Sequence, residues 1–179
     1  MKKRVILAAS LFTSLTGFAQ GNTKPQSPAE SFAARKEIIL EKRYDQVGKI
    51  GHLNVQLEYL KDIGSSEKMQ CIRFDIQSQN NVPGPSALLD SNEVNGIISF
   101  LKFINTSVVT RPPVDPNTEI SFTTKYNVQI GCYWQATRGW IIFLRTDTDS
   151  PSSEAEFALA DMNSLQKTLN LAVEQMKRY

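Results

Sequence analysis

Asn54-Val55-Gln56-Leu57 returns as Asn127-Val128-Gln129-Ile130, and Leu88-x-Asp90-x-Asn92-x-Val94 returns as Leu159-x-Asp161-x-Asn163-x-Leu165. The two recurrences are offset by 73 and 71 residues, a drift that one loop absorbs. A chain that repeats a unit of this length is built from two supersecondary units, neither of which can bury its apolar face alone.

The first motif lies in an alternating stretch. Leu53, Val55, Leu57 and Tyr59 point one way, and Asn54, Gln56 and Glu58 the other. Gly64-Ser65-Ser66-Glu67 makes a turn, and Met69 to Gln77 returns with Ile72, Phe74 and Ile76 inward and Arg73 and Asp75 outward. This pattern predicts a hairpin with one wet face. Asn80 to Pro85 reads as a loop. Asp90 and Glu93 form a capping-box pair, which satisfies two backbone donors at a helix start. Val94, Ile97, Ile98, Leu101 and Ile104 then make one apolar stripe.

Pro112, Pro113 and Pro116 end this half, because a proline-dense segment holds neither a ladder nor a helix interior. The order then repeats. Glu119 to Thr124, Val128 to Gln135 and Trp140 to Thr146 read as strands, with Gln135 to Gly139 as a tight connection. Phe157 to Ala160 leads into Asp161, the expected next N-cap. Met162, Leu165, Leu169, Ala172, Val173 and Met176 stripe the last helix. The expected class is α+β: a duplicated antiparallel sheet unit, each half three to four strands followed by one helix packed on the sheet. The repeats span 35–107 and 118–179, joined by the Pro-rich segment 108–117.

The two NVQ strands and the two D-x-N-x-[VL] helix starts carry a resemblance. A tandem of four strands plus a helix resembles the Whirly-type fold, over about Lys36 to Lys177 at the level of element order. The resemblance implies single-stranded nucleic-acid binding. The chain departs from that family in lacking a basic-plus-glycine DNA-binding motif.

The N-terminus has the order of an export signal. Lys2-Lys3-Arg4 is followed by a mostly apolar run from Val5 to Thr16, and Gly17-Phe18-Ala19 offers small residues for cleavage after Ala19. The apolar run is shorter than the ~20 residues a membrane span needs. The expected product is periplasmic or extracellular and has no membrane span. Residues 20–34, with Gly21, Pro25, Ser27 and Pro28, read as a flexible leader. Phe32 to Tyr44 suits a short helix or a first strand, and Ile38-Ile39-Leu40 between charges favours the strand.

Processing changes the charge argument. The chain has 20 Lys and Arg against 18 Asp and Glu. Loss of Lys2, Lys3 and Arg4 leaves 17 against 18. A near-neutral domain has no general field to attract phosphate backbones, so no specific nucleic acid is expected as a partner.

Few residues carry chemistry. His52 is the one histidine, which excludes a multi-histidine metal site and leaves a Ser/His or Cys/His arrangement a single candidate. No phosphate loop, nucleophile elbow or C-x-x-C occurs. Cys71 shares parity with Arg73 and Asp75, whereas Cys132 shares parity with Val128, Ile130 and Trp134. Opposite faces do not meet disulfide geometry. Asp147-Thr148-Asp149-Ser150 with Glu154 has a flavour of calcium-loop spacing but lacks the central Gly and the twelfth-position Glu. Neither a metal site nor a cofactor is expected.

The most suggestive surface is the second hairpin: Tyr126, Tyr133, Trp134, Arg138, Trp140 and Arg145. Aromatics beside arginines make ligand-stacking sites and interface hot spots. Trp140-Ile141-Ile142-Phe143-Leu144 is continuously apolar, which means burial on both faces, and Trp134 is expected to join that core. The candidate ligand-binding residues are therefore Tyr133, Arg138, Tyr126 and Arg145, with Tyr133 and Arg138 the most exposed. These observations favour an exported, noncatalytic binding or interaction module for a protein or saccharide-like ligand. Two alternatives are a single-stranded nucleic-acid-binding protein, by the resemblance, and a small enzyme using carboxylates such as Glu58 or Asp75.

Overall fold

The computed structural model describes residues 25–77 and 83–178. The expected export signal and its cleavage point lie outside them. Four strands, β1 (Leu40–Ile50), β2 (Leu53–Asp62), β3 (Lys68–Gln77) and β4 (Pro83–Leu89), pair antiparallel in chain order. A second sheet has the same order: β5 (Glu119–Thr123), β6 (Gln129–Gln135), β7 (Gly139–Arg145) and β8 (Glu154–Ala158). Each sheet is followed by a helix, α2 (Ser91–Ser107) and α3 (Met162–Met176), and the first is preceded by a short helix, α1 (Pro28–Ala33). The protein is thus α+β with two sheet units.

The helices are shared across the halves: α2 keeps contact with β3 of the sheet it follows, while α3 crosses to the first sheet. α3 packs on β1, β2 and β3 of the first sheet and against α2. Thr168 of α3 lies so close to Gly48 of β1 that a Cβ on Gly48 would come within 2.8 Å of its methyl. α2 in turn reaches the second sheet. Phe100 stacks on Phe122 of β5 with ring centroids 6.0 Å apart, and Glu93 accepts a 3.2 Å hydrogen bond from the Tyr126 backbone N–H. One core therefore draws on both halves, with Leu57, Phe74, Ile97, Ile130, Ile142 and Leu169 all in it.

Several expectations need correction. The stretch read as a flexible leader holds α1. Ser27 Oγ accepts from the Glu30 N–H at 3.1 Å, and Glu30 Oε2 accepts from the Ser27 N–H at 2.9 Å, a capping box with Pro28 at the first helical position. Ala29 and Phe32 bury against Leu60, Cys71 and Leu88 on the outer face of the first sheet. A capping signal outweighed a linker-like composition. The strand favoured for Phe32 to Tyr44 starts only at Leu40, because Phe32 belongs to this helix. The loop expected to run through Pro85 becomes β4 at Pro83. Proline is tolerated there because β4 is an edge strand with no ladder partner on one side.

The two helix starts also differ. Asp90 caps α2 with its side chain, accepting from Asn92 N and Glu93 N at 2.8 and 2.9 Å. Asp161 sits in a 3-10 turn (Leu159–Asp161) with helical backbone and makes no side-chain cap. Its carboxylate reaches back to the Ala158 N–H at 3.3 Å. The Asp161 cap expected from the motif is replaced by this backward bond.

Candidate binding cleft

The β6–β7 hairpin sets the site. Trp134 and Trp140 face each other in register, and their rings meet edge to face at 5.6 Å. Gly139, at φ 76°, takes the left-handed backbone that the tight connection requires. Trp140 is buried, and its indole N–H donates to the Arg111 carbonyl at 2.9 Å. That bond pins the segment between the repeats against the hairpin. Between the two lies an open cleft of about 480 Å³. Trp134, Ile141, Leu159, Val109 and Pro112 supply its apolar walls, and Arg111 and Arg138 its cations.

The two arginines differ. Arg138 donates to Glu156 at 3.1 Å and to Gln135 at 3.4 Å. Arg111 is exposed and its side chain makes no ion pair among the described residues. Apart from Thr110, no lining residue has a side-chain oxygen, so the polar side chains of the cleft are almost entirely donors.

Of the sequence-derived candidates, Tyr133 and Arg138 come together on Glu156. The Tyr133 hydroxyl donates to Glu156 Oε1, and Arg138 holds the other oxygen. Burial, and then the Glu156 hydrogen bond, push the Tyr133 phenol up to about 12. The same hydrogen bond, with Arg138, holds the Glu156 carboxyl below its ordinary value. Arg145 lies further along this face. Its guanidinium covers the Phe143 ring at 4.3 Å and is held by Glu154, Gln129 and Glu119. Phe143 is buried between these side chains and Gly131, where a Cβ would come within 2.4 Å of the ring. Arg145 and Tyr133 thus form a charged lid over a buried phenylalanine.

Tyr126 stands apart. It sits in the turn between β5 and β6, beside the start of α2, with Lys125 5.1 Å from its ring centroid. Glu93 beneath it is buried, and that desolvation raises its carboxyl above the ordinary value. Trp134, expected to join the core, packs against it while half-buried and also lines the cleft. Arg111 was missed because it heads a proline run that reads as a connection; its meeting with Trp140 needs the tertiary fold.

The remaining chemistry-bearing groups are engaged structurally. Glu58 is fully buried, with Arg73 at 3.1 Å and Lys42 at 3.7 Å. Arg73 also clasps Asp75 at 2.8 Å, so an arginine occupies the space between the two carboxylates. Asp147 Oδ1 accepts from the Asp149 N–H at 3.1 Å in its own turn, while Glu154 turns to Arg145. No group of three or more candidate metal ligands occurs among the described residues. His52 is exposed in the β1–β2 turn. Both cysteines are free: Cys71 lies under α1 and Cys132 in the main core. Burial pushes their thiols up to about 12 and about 11. A second open cleft of about 530 Å³ lies on the first sheet, where the charged side chains other than Lys68 pair. Arg43 stacks on Tyr59 at 4.2 Å, and Lys61 faces Glu41 at 4.0 Å. No helix among the described residues is long and apolar enough to cross a membrane.

Comparison with protein-family models finds no match, and none of the curated proteins matches the chain. The class that can be stated is therefore architectural: an α+β protein of two four-stranded sheets whose last helix packs on the first, with an aromatic cleft beside the second.

Proposed function

We propose that the protein is an exported, noncatalytic binding module whose ligand docks in the cleft between the β6–β7 hairpin and the 109–112 segment. One observation carries this reading. The chain has two tryptophans, and both line one open cleft whose rim holds an uncommitted arginine. Aromatic and arginine side chains dominate binding hot spots because they bury large contact area at low entropic cost. The basic, apolar and small-residue order of Lys2 to Ala19 supports export. Protein recovered from the cell envelope should begin at Gln20 by intact mass. A native mass spectrum should carry an added mass that Trp134→Ala removes. Folded protein retaining Met1 would contradict export, and an added mass unaffected by Trp134→Ala would contradict the site.

A second reading rests on the order of four strands and a helix, twice, that resembles the Whirly-type fold. Tryptophans beside arginines can also stack bases and meet phosphates. Fluorescence anisotropy with labelled oligonucleotides at physiological salt separates the two. No specific binding is expected. Submicromolar binding that weakens steeply with salt and is lost in Arg138→Ala would promote the nucleic-acid reading.

A further inference from the structure

We infer that the ligand of this cleft is an acidic peptide segment that seats one large apolar side chain between Trp134 and Leu159 and sets a carboxylate against Arg111. The inference rests on the binding-module reading and specifies its partner. Three observations select this chemistry.

The polar lining is nearly all donor. A sugar presents hydroxyls that both donate and accept, and its binding needs acceptors as well as donors. Here no Asp, Glu, Asn, Gln or His side chain lines the walls, and Thr110 contributes the one side-chain oxygen. The Arg111 carbonyl, a further acceptor at this edge, already receives the Trp140 indole N–H. A ligand complementary to such a lining brings its own acceptors, as a carboxylate does.

The charge is also open. Arg138 is neutralised by Glu156 at 3.1 Å, whereas Arg111 has no acidic partner among the described residues. An exposed, unpaired guanidinium at the mouth of an apolar cleft complements an anion that is itself attached to an apolar group. The planar fork of arginine suits a carboxylate in particular.

The size suits a side chain with its flanking backbone. The volume of about 480 Å³ lies within the range, about 300–1,000 Å³, over which pockets hold compact ligands. Trp140 is only 5% exposed, so it offers no open ring face for a flat sugar or base to stack upon. Trp134, Ile141 and Leu159 offer walls that a leucine or phenylalanine fills.

Because both tryptophans line the cleft, their emission reports its occupancy directly. The full chain is titrated with a nonapeptide that has a central leucine flanked by glutamates and lacks tryptophan and tyrosine. The same peptide with lysines for glutamates is titrated in parallel. The acidic peptide is expected to shift the emission and bind about fivefold or more tighter, the scale of one exposed charge pair. Arg111→Glu should reverse the preference, a result that loss of folding cannot mimic. Trp134→Ala should abolish the difference. Equal binding of the two peptides, or no reversal in Arg111→Glu, would overturn the assignment. A neutral oligosaccharide or an oligothymidylate that shifts the emission and outcompetes the acidic peptide would overturn it too, while leaving the cleft as a binding site. If Trp134→Ala leaves the binding of every probe unchanged, both the peptide assignment and the cleft fall.

Discussion

The two sheets solve the same problem in different ways. Each turns one face to the shared core and leaves the other facing outward. On the first sheet the outer face is covered by a helix. α1 lays Phe32 over Leu60, Cys71 and Leu88, and the neighbouring Glu58 is wholly buried with Arg73. On the second sheet no helix among the described residues covers the outer face. Phe143 is roofed by Arg145, Tyr133 and their glutamates, all at least partly exposed. A buried ion pair depends on both partners, because removing one strands the other in low dielectric. A pair in which both partners keep some exposure is worth less, because water replaces the missing partner. The two-sheet frame is thus sealed by one helical cover and one wet one, and the cleft opens beside the wet one.

That contrast can be broken by mutation. Arg73→Met leaves Glu58 buried without its guanidinium and is expected to cost about 3–5 kcal/mol of unfolding free energy. A cost no larger than that of the matching change on the second sheet would erase the distinction. Leu169→Ala is expected to cost about 2–5 kcal/mol, since this fully buried residue belongs to the shared core. Its effect should appear as loss of hydrogen-exchange protection in β1 to β3, the strands α3 packs on, and a loss confined to β5 to β8 would refute that placement of α3. Asp90→Ala should cost about 0.5–2 kcal/mol as a lost cap. Asp161→Ala should cost less than Asp90→Ala in the same denaturant titration, because it removes only a bond to Ala158 N. Arg145→Met, the counterpart of Arg73→Met, should cost no more than about 1 kcal/mol in electrostatics.

The smallest effect is on the pH profile. The Glu156 carboxyl is held below its ordinary value by Tyr133 and then by Arg138. Its stabilising contribution is therefore complete above the ordinary carboxylate range and is lost as the pH falls through the lowered folded value. Glu93 has the opposite sign. Burial raises it, so its ionised form is a burden that protonation relieves as the pH falls. Denaturant midpoints between pH 7 and 3 should fall less steeply in Glu156→Gln than in the parent and more steeply in Glu93→Gln. The reverse order would show the two assignments to be wrong.

The repeat was legible because period-two alternation and apolar stripes are local signals. Leu53 to Leu60 and Val94 to Ile104 display them without ambiguity. What the pattern could not carry was which sheet each helix would choose, since Leu169 reads as an apolar stripe whichever surface it meets. The same gap explains Cys71. Its parity placed it correctly opposite Ile72, yet the face is dry because α1 arrives from elsewhere in the chain. The cleft was half legible. Trp134, Arg138 and Trp140 share one hairpin, but Arg111 joins them through a single long-range hydrogen bond to the indole of Trp140. Tyr126 looked equivalent by composition and lies at the other end of the strand, in the turn before β6.

The crossing of α3 to the first sheet has a consequence for the order of assembly. β1, β2 and β3 are complete by Gln77, but α3, the helix that packs on all three, begins at Met162. During synthesis the first sheet waits, with part of its apolar face uncovered, until everything between has been made. Closing so long a stretch of chain is slow, because its entropy is lost before the contacts that reward it are formed. A ribosome-bound chain cut before α3 should therefore remain sensitive to protease along its first half, and resistance should arrive in both halves together.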